Sequence, residues 1–266
     1  MINARALVQN ELASVESGLE NLFNKNNTVL EDLESFIQCG SKRIRSIVAL
    51  LYLKMNNAKI SDDVVKVLIS GELIHNASLL HDDVIDDSTK RRGKQNLYGK
   101  YSPKISILAG DYLLSIAVNK MLQTDNKEIL TIFVNATGNM SDAEIHQFSK
   151  RGKEISLDDY TKIIYGKTAS LFEAILESSA ILSGLDREQA KKFGKNFGIL
   201  FQVNNDFKAE SADNDKANEQ MTIKDILGIE KGEIFKDNYK GELRDIFANL
   251  KENEYKTALE DLVKNL

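Results

Sequence analysis

Four carboxylates lie within six consecutive positions, in the segment from Asp82 to Asp87. On a helix, Asp82 and Asp86 are one turn apart and Asp83 and Asp86 are three residues apart, so these side chains share one side. Carboxylates at this spacing repel one another unless a cation neutralises them, and oxygen ligands suit Mg²⁺, which proteins usually share with substrate phosphates. The pattern predicts a magnesium site, with a solvated acidic helix end as the alternative.

Two groups of basic residues support a phosphate ligand. Arg91 and Arg92 follow the acidic segment, and a guanidinium binds phosphate with a rigid fork of donors. Lys42, Arg43 and Arg45 open an apolar helix, where cations oppose the helix dipole but backbone amides attract anions. We interpret this second group as a polyanion site, although taken alone it is more simply explained as a solvated basic turn.

The elements that must position these residues are helices. The 266 residues contain one proline, Pro103, and apolar residues recur at helical spacing almost everywhere. Ser61, Asp158 and Asp186 are the predicted N-caps. We predict one all-α domain over residues 1–266, with helices at 61–87, 103–123, 126–149, 157–183, 187–208 and 241–264, and loops at 88–101 and 209–220.

Charge and cysteine usage exclude several classes of protein. The formal net charge of −5 gives no sign of nucleic-acid binding, and the single cysteine, Cys39, precludes an intrachain disulfide. The N-terminal residues contain no apolar run of the signal-peptide kind, and the longest apolar stretches are too short to span a bilayer. We therefore expect a cytoplasmic protein with no nucleic-acid partner and no stable membrane insertion.

The chain resembles the trans-isoprenyl diphosphate synthases (the polyprenyl synthetase family), of the medium- or long-chain type, in an ordered series of motifs. The resemblance implies the isoprenoid synthase type I fold, a single large helical bundle around a central cavity, and a homodimer. The matching segments are Gly40–Arg45 (GGKRxR in the family), His75 with Leu80–Asp86 and Arg91–Gly93 (first Asp-rich motif), Ala109–Leu114 (GDYLL), Ala143–Gln147 (GExxQ), Gly166–Ala169 (KTA) and Gly198–Gln202 (the approach to a second Asp-rich motif).

The activity that the resemblance implies is Mg²⁺-assisted condensation of isopentenyl diphosphate with an allylic diphosphate, expected to be farnesyl diphosphate. Ionisation of the allylic diphosphate gives a carbocation that the isopentenyl double bond attacks. Asp82, Asp83 and Asp86 are implied as catalytic Mg²⁺ ligands, and Asn205 and Asp206 as ligands from the second motif.

The resemblance also implies ligands for the two diphosphates. The allylic side would be formed by Arg91, the catalytic Lys167, Thr168 and Gln202, and the isopentenyl side by Lys42, Arg45, His75 and Arg92. For Lys167 the alternative is a surface lysine. His81 is expected to support the metal-binding residues rather than to bind metal.

The second Asp-rich motif departs from the family pattern DDxxD. It reads Asn205-Asp206-Phe207-Lys208-Ala209, and a neutral Asn carbonyl binds Mg²⁺ more weakly than a carboxylate. The Gly-Lys that normally follows is also missing, with Lys216 and Lys224 as candidates to replace the lysine.

Three alternatives remain open at this point. The chain is an enzyme with a weakened second metal site, a catalytically weak or non-catalytic subunit of the same fold, or a protein that uses Asn205 and Asp213 as class I terpene synthases use a metal motif. The group of Lys42, Arg45 and His75 favours a prenyltransferase, because a terpene synthase would not need a site for isopentenyl diphosphate.

Product length depends on the residues before the acidic segment. In the family the growing chain runs beside this helix, and here the fifth and fourth residues before Asp82 are the small Ala77 and Ser78. An open channel would give a medium- or long-chain product, whereas close helix packing is the alternative explanation, with a farnesyl or geranylgeranyl diphosphate synthase as the alternative function.

Overall fold

Helices make up most of the computed structural model, which describes residues 3–20, 22–23, 27–39, 41–91, 93–208, 220–248 and 250–266. The all-α prediction is confirmed. The helices are α1 Ala4–Leu7, α2 Gln9–Glu20, α3 Thr28–Gln38, α4 Ile44–Met55, α5 Asp62–Ile85, α6 Leu97–Lys100, α7 Pro103–Leu122, α8 Lys127–Ser149, α9 Leu157–Ile164, α10 Ser170–Ser183, α11 Arg187–Asp206, α12 Ile223–Ala248 and α13 Glu254–Asn265.

The chain groups into two compact units. The first, which we call the N-terminal unit, comprises Val8–Leu50 and Ile60–Leu130, and the second, the C-terminal unit, comprises Met1–Leu7, Leu51–Lys59 and Thr131–Leu266. One domain over residues 1–266 stays a prediction.

The N-terminal unit is built around the antiparallel pair α5 and α7. Two serine hydroxyls join the backbones of these helices: Ser70 Oγ donates to the Ala117 carbonyl at 3.2 Å, and Ser106 Oγ donates to the Leu80 carbonyl at 2.8 Å. The predicted cap Ser61 is confirmed, since its hydroxyl oxygen accepts a hydrogen bond from the N–H of Val64. The acidic residues therefore lie at the end of a long, well-anchored helix.

A small hairpin follows α5, within the segment predicted as a loop. Strand β1 (Lys90–Arg91) pairs antiparallel with β2 (Lys94–Gln95), and Gly93 at the turn has φ 75°. Asn96 anchors the hairpin, because its side-chain amide donates to the Ser88 carbonyl at 2.6 Å. Arg91 thus extends from a fixed backbone.

Helix α7 is also the one helix in the described residues whose length and hydropathy would allow it to cross a membrane. A third of its apolar window is buried within the protein. The core helix of a folded domain passes the same test, so this property is weak support for a membrane span.

The C-terminal unit centres on α10 and α11. Every residue from Ser170 to Ala180 is buried, and aromatic rings fill the surrounding space. Their centroids lie 5.0–6.4 Å apart, at the distances that aromatic pairs prefer. These rings belong to Tyr52, Phe172, Phe193, Phe197, Phe201 and Phe247.

Three predictions about helix limits in this unit are wrong. The helix predicted over 157–183 is interrupted by a π-helical segment, Tyr165–Ala169. The helix predicted over 241–264 is two helices, since α12 ends at Ala248 and Asn253 caps the start of α13 through its side-chain oxygen. The cap of α9 is not Asp158 but Ser156, which forms a capping box with the third residue of the helix. The predicted cap Asp186 is confirmed.

Candidate active site

The acidic turn, Asp82 to Asp87, ends α5. Its middle carboxylate, Asp83, is fully buried, and Oδ1 accepts hydrogen bonds from Arg91 Nη2 at 2.7 Å and Nε at 2.9 Å. The other oxygen, Oδ2, is buried without a hydrogen-bond partner among the described atoms. Burial raises the pKa of the Asp83 carboxyl, and the Arg91 guanidinium only partly opposes that shift.

Two further carboxylates of this turn, Asp82 and Asp86, are half-buried. The Asp86 N–H closes the last turn of the helix by donating to the Asp82 carbonyl at 2.9 Å. Carboxylates at a helix C-terminus face the negative end of the helix dipole, so they are unfavourable there unless a cation is bound. The chemistry of this turn, together with the orphaned Oδ2 of Asp83, fits Mg²⁺.

The protein supplies only part of a coordination shell. Among the residues that the structure describes, no three His, Cys, Asp or Glu side chains form a group that could hold a metal ion by themselves. Mg²⁺ is commonly bound by one or two carboxylates together with water and substrate phosphate oxygens. The acidic turn therefore fits a metal that arrives with a phosphate ligand.

Helix α7 supports this turn through His81. The Nε2 atom of His81 lies 3.3 Å from a carboxylate oxygen of Asp111 and 3.4 Å from the Ile107 carbonyl. The ring lies against Gly110, where a Cβ would come within 2.3 Å of Nε2. His81 thus connects the acidic turn to α7, and its supporting role for the metal-binding residues stays a prediction.

The basic group at 42–45 contains a buried ion pair that the sequence did not reveal. Arg43 has φ 51° and is buried, with Nη1 3.4 Å from Glu72 Oε2. The second Glu72 oxygen accepts the Ser46 hydroxyl at 2.8 Å. Glu72 also opposes the effect of burial on Arg45, which lowers the pKa of that guanidinium to about 10. One carboxylate thus faces two guanidinium groups, and the exposed Lys42 adds further positive charge.

Two further predicted ligands in this unit are His75 and Arg92. His75 is half-buried on α5, two turns before Asp82, and its carbonyl accepts the Ser78 hydroxyl at 2.9 Å. Arg92 lies outside the described residues.

In the C-terminal unit, the π-helical segment carries Lys167 and Thr168. π-Helical turns often mark functional positions because they redirect side chains within a helix. The Lys167 ammonium forms an ion pair with Glu144 and donates to the side-chain oxygen of Gln147. Gln147 in turn donates to Gln220 at 3.3 Å. Lys167 is therefore held by α8 rather than extended into solvent.

A chain of hydrogen bonds connects this segment to the second Asp-rich motif. Thr168 Oγ1 donates to Gln202 Oε1 at 3.0 Å, and Gln202 Nε2 donates to Asp206 Oδ1 at 3.0 Å. Asp206 is buried, and its Oδ2 accepts the Tyr160 hydroxyl at 2.6 Å and the Ile223 N–H at 3.5 Å. Burial raises the pKa of this carboxyl, and these donors oppose the shift.

Asn205 points to a different partner. Its Oδ1 accepts a hydrogen bond of 2.9 Å from the ammonium of Lys208. The predicted partner Asp213 and the alternative Lys216 lie outside the described residues. Because both Asp206 oxygens accept internal hydrogen bonds and Asn205 is neutral, this donor set does not fit a metal site.

Two glycines allow the π-helical segment to approach its neighbours. A Cβ on Gly166 would lie 2.6 Å from the Asn139 carbonyl oxygen of α8, and a Cβ on Gly198 would lie 2.5 Å from Ala169 Cα. Backbone atoms cannot move aside cheaply, so both positions require glycine.

Gly198→Ala is therefore expected to lower the free energy of unfolding by about 1–3 kcal/mol, the usual cost of overpacking. It should also weaken the hydrogen bond between Thr168 and Gln202 by pushing α11 away. Urea denaturation measures the stability. The matched control is Gly241→Ala, at a helical glycine with open space around it, where alanine should stabilise by up to about 1 kcal/mol. Equal effects of the two substitutions would contradict the packing explanation.

Comparison with known proteins identifies the family of this chain. The chain matches the polyprenyl synthetase family model over residues 26–229, which is most of its length. The chain belongs to the polyprenyl synthetase family. Its motifs at 42–45, 82–86, 167–168 and 202 all lie within the matched residues.

Individual relatives support the family assignment, and solved structures show the same fold. The chain is 31% identical over 219 residues to octaprenyl diphosphate synthase of Escherichia coli, covering 79% of this chain and 66% of the relative. It spans between about half and two thirds of the length of the curated relatives it matches. Its fold is similar to that of a decaprenyl diphosphate synthase from Rhodobacter capsulatus, with a TM-score of 0.89, 23% identity and coverage of 98% and 97% of the two chains. A polyprenyl synthase from Caulobacter crescentus, complexed with calcium and isoprenyl diphosphate, matches with a TM-score of 0.83, 23% identity and coverage of 98% and 95%.

Some residues of this polyprenyl synthetase's candidate site were not found from the sequence. Glu72 is a buried partner inside an apolar helical run, and Tyr160 is a buried partner that directly follows Asp158 and Asp159; no local pattern marks either of them as a structural contact. Lys208 stands at an unspecified position of the DDxxD pattern, which assigns it no role, although its spacing of three residues from Asn205 is the spacing of side chains that contact each other at a helix end.

Proposed function

We propose that this polyprenyl synthetase condenses isopentenyl diphosphate with an allylic diphosphate, giving a longer linear polyprenyl diphosphate. The observation that supports this most is the acidic turn, in which Asp83 is locked by Arg91 while Asp82 and Asp86 flank it at a helix end that favours a cation. Cations at Lys42 and Arg45 of the same unit supply the positive charge that a second diphosphate requires.

In the proposed reaction, Mg²⁺ would supply positive charge against the departing pyrophosphate. Asp82 and Asp86 would bind the ion, and Arg91 keeps Asp83 in place beside them. Arg45 holds isopentenyl diphosphate, since its guanidinium stays protonated at neutral pH with a pKa near 10. The C–O bond to pyrophosphate breaks, and the double bond of isopentenyl diphosphate attacks the resulting allylic carbocation. The tertiary cation so formed loses a proton from the adjacent carbon, which restores a double bond, and pyrophosphate takes up that proton. The protein thus contributes positioning and charge, with no covalent intermediate.

We propose a medium or long product chain and farnesyl diphosphate as the primer. The matched E. coli relative is an octaprenyl diphosphate synthase and the R. capsulatus structure is a decaprenyl diphosphate synthase. Ala77 is fully buried, seven residues after Ser70 and so on the same side of α5 as that contact with α7. Close helix packing is therefore the alternative explanation of the small residue at 77, and separation of the products by chain length distinguishes the two.

The test is incubation of the purified protein with Mg²⁺, radiolabelled isopentenyl diphosphate and farnesyl diphosphate, followed by separation of the dephosphorylated products. Linear polyprenols support the proposal and give the chain length. Failure to incorporate label with geranyl, farnesyl and geranylgeranyl primers would falsify it for the isolated chain. A reaction with EDTA is the matched control for the metal.

A second candidate function is a catalytically weak or non-catalytic subunit of the same fold. It is favoured by the second motif, where Asn205 is neutral and Asp206 is engaged internally. Incorporation that appears only after a partner synthase subunit is added would select this alternative.

We further propose that the functional form is a homodimer that uses α7. Several apolar side chains of this helix are exposed, among them Leu108 at 63% and Leu122 at 56%, which lie about four turns apart on one side. Exposed apolar surface of this kind commonly marks a protein contact. The other exposed members are Ile107, Tyr112 and Val118.

Light scattering after size-exclusion chromatography tests the dimer. The double variant Leu108→Glu/Leu122→Glu is expected to elute as a monomer, because a dimer would bury four carboxylates in an apolar contact. Leu108→Met/Leu122→Met, which keeps the surface apolar, should remain dimeric. A natural chain that is monomeric at micromolar concentration would rule out the proposal.

A further inference from the structure

At the end of α11, where the family pattern has the metal-binding motif DDxxD, this chain contains Lys208 at one of the two unspecified positions. Of the three acidic positions of the second Asp-rich motif, only Asp206 is a carboxylate, because the others are Asn205 and Ala209. The acidic form of such a motif carries excess negative charge and needs bound cations before a diphosphate can approach. Here two of the three negative charges of the motif are absent, because Asn205 and Ala209 are neutral.

The single remaining carboxylate is turned inward. Asp206 is 4% exposed, and its two oxygens accept hydrogen bonds from Gln202, Tyr160 and the Ile223 N–H. These contacts tie α11 to α9 and to the start of α12. Asp206 is therefore a structural anchor of this helix end and has little capacity left for an external cation.

Lys208 carries a positive charge at the same end. Its ammonium is oriented by Asn205 Oδ1 at 2.9 Å, and the side chain is exposed. The partner is neutral, so the charge of Lys208 is not compensated by that bond. Lys167 differs, since it forms an ion pair with Glu144. Lys224, whose charge acts on Asp206, adds to the positive potential of this end.

Lys208 also lies near other predicted ligands along the chain. Gln202 lies one helical turn before Asp206 and accepts the hydroxyl of Thr168, the neighbour of Lys167. Lys208 and its partner Asn205 thus lie at the same end of α11 as Gln202, one of the predicted allylic ligands of this unit.

We propose that Lys208 replaces a metal ion at the second motif: its ammonium, positioned by Asn205, binds the diphosphate group of a prenyl diphosphate directly. The inference rests on the proposed function and adds that one divalent cation fewer is needed than a DDxxD motif would take up. The competing explanation is that Lys208 only compensates the dipole at the C-terminus of α11, as basic residues commonly do.

Binding of inorganic pyrophosphate to the full chain tests this directly. Isothermal titration at fixed Mg²⁺ compares the natural chain with Lys208→Ala, Lys208→Arg and Lys231→Ala, the last being an exposed lysine of α12 that removes the same charge. Lys208→Ala is expected to weaken binding by about 10-fold or more, as for a lost charge-assisted hydrogen bond. Lys208→Arg should bind within about 3-fold of the natural chain, and Lys231→Ala within about 2-fold, since distant surface charges are screened.

Counting the bound metal gives a second, independent readout. With saturating pyrophosphate, Mn²⁺ bound per chain is measured by equilibrium dialysis. Asn205→Asp/Lys208→Ala, which restores a carboxylate and removes the tethered cation, should bind about one more Mn²⁺ than the natural chain.

The outcomes separate this inference from the proposed function. Equal pyrophosphate affinity of Lys208→Ala and Lys231→Ala, or an unchanged Mn²⁺ count in the double variant, overturns the inference. A lower melting temperature of Lys208→Ala with unchanged affinity assigns Lys208 to helix capping and also overturns it. If the expected affinities and Mn²⁺ counts are found but no prenyl transfer occurs, only the proposed function fails.

Discussion

Asp82→Asn and Asp86→Asn are each expected to lower kcat for prenyl transfer by about 10³-fold or more. Each substitution removes a negative charge that holds Mg²⁺ at the end of α5, where the amide oxygen that remains is a weaker ligand. Loss of preorganised charge stabilisation at a developing negative charge commonly costs about 10²–10³-fold, and a weakened metal adds to that loss. Steady-state incorporation of labelled isopentenyl diphosphate, measured across a Mg²⁺ titration, gives the effect.

The same turn offers the matched control. Asp87→Asn removes an equal charge one residue further along the chain, but Asp87 is exposed and accepts the Tyr98 hydroxyl at 3.0 Å. We expect its kcat to stay within about 3-fold of the natural chain, as for a surface carboxylate. If Asp82→Asn and Asp87→Asn were equally active, the acidic turn would not be the metal site.

Glu72→Leu is expected to lower the free energy of unfolding by about 3–5 kcal/mol, because it leaves the buried guanidinium of Arg43 without its carboxylate. Arg43 is 2% exposed and Glu72 is 2% exposed, so water cannot replace the lost partner. The Ser46 hydroxyl also loses its acceptor. Urea denaturation followed by circular dichroism measures the loss.

A double variant distinguishes the ion pair from simple packing. Arg43→Met/Glu72→Leu removes both charges of the pair and should recover part of the stability, since a buried pair is often no better than apolar residues of similar volume. The recovery is incomplete because the buried Arg45 also loses the Glu72 charge. Glu31→Leu, on the exposed surface of α3, is the control and should change stability by about 0.5 kcal/mol or less. An unaltered urea midpoint for Glu72→Leu would contradict the burial that we describe.

These variants also report on substrate binding. Arg43 adopts a left-handed backbone conformation between Lys42 and Ile44, and such a conformation costs about 1–3 kcal/mol unless the surrounding structure holds it. The pair with Glu72 is that restraint. We infer that it sets the directions in which Lys42 and Arg45 leave the backbone.

The amino-acid sequence alone determined the fold class and the family. Helical periodicity and a single proline are local properties, so the prediction of an all-α protein needed no long-range contact. The spacing of Asp82, Asp83 and Asp86 is likewise local, because residues three and four apart share a helix side whatever the helix packs against. The ordered motifs predicted the family, which the match over residues 26–229 confirms.

The tertiary structure decided which of the polar residues are buried in internal contacts and which are exposed to solvent. Asp83 and Asp206 look like their neighbours in the sequence, yet both are buried, and Asp206 is bound internally by Tyr160 and Gln202. Tyr160 lies 46 residues from Asp206 along the chain, so no local pattern reveals that contact.

The same holds for the interruptions of the helices. The π-helical segment at 165–169 lies close to two helices. Its own Gly166 lies against α8, and Gly198 of α11 lies against Ala169 of the segment. That approach depends on residues about 25–30 positions apart, and apolar periodicity continues through the segment unchanged. A continuous helix was therefore the natural prediction from periodicity, and only packing against α8 and α11 decided how Lys167 and Thr168 are presented.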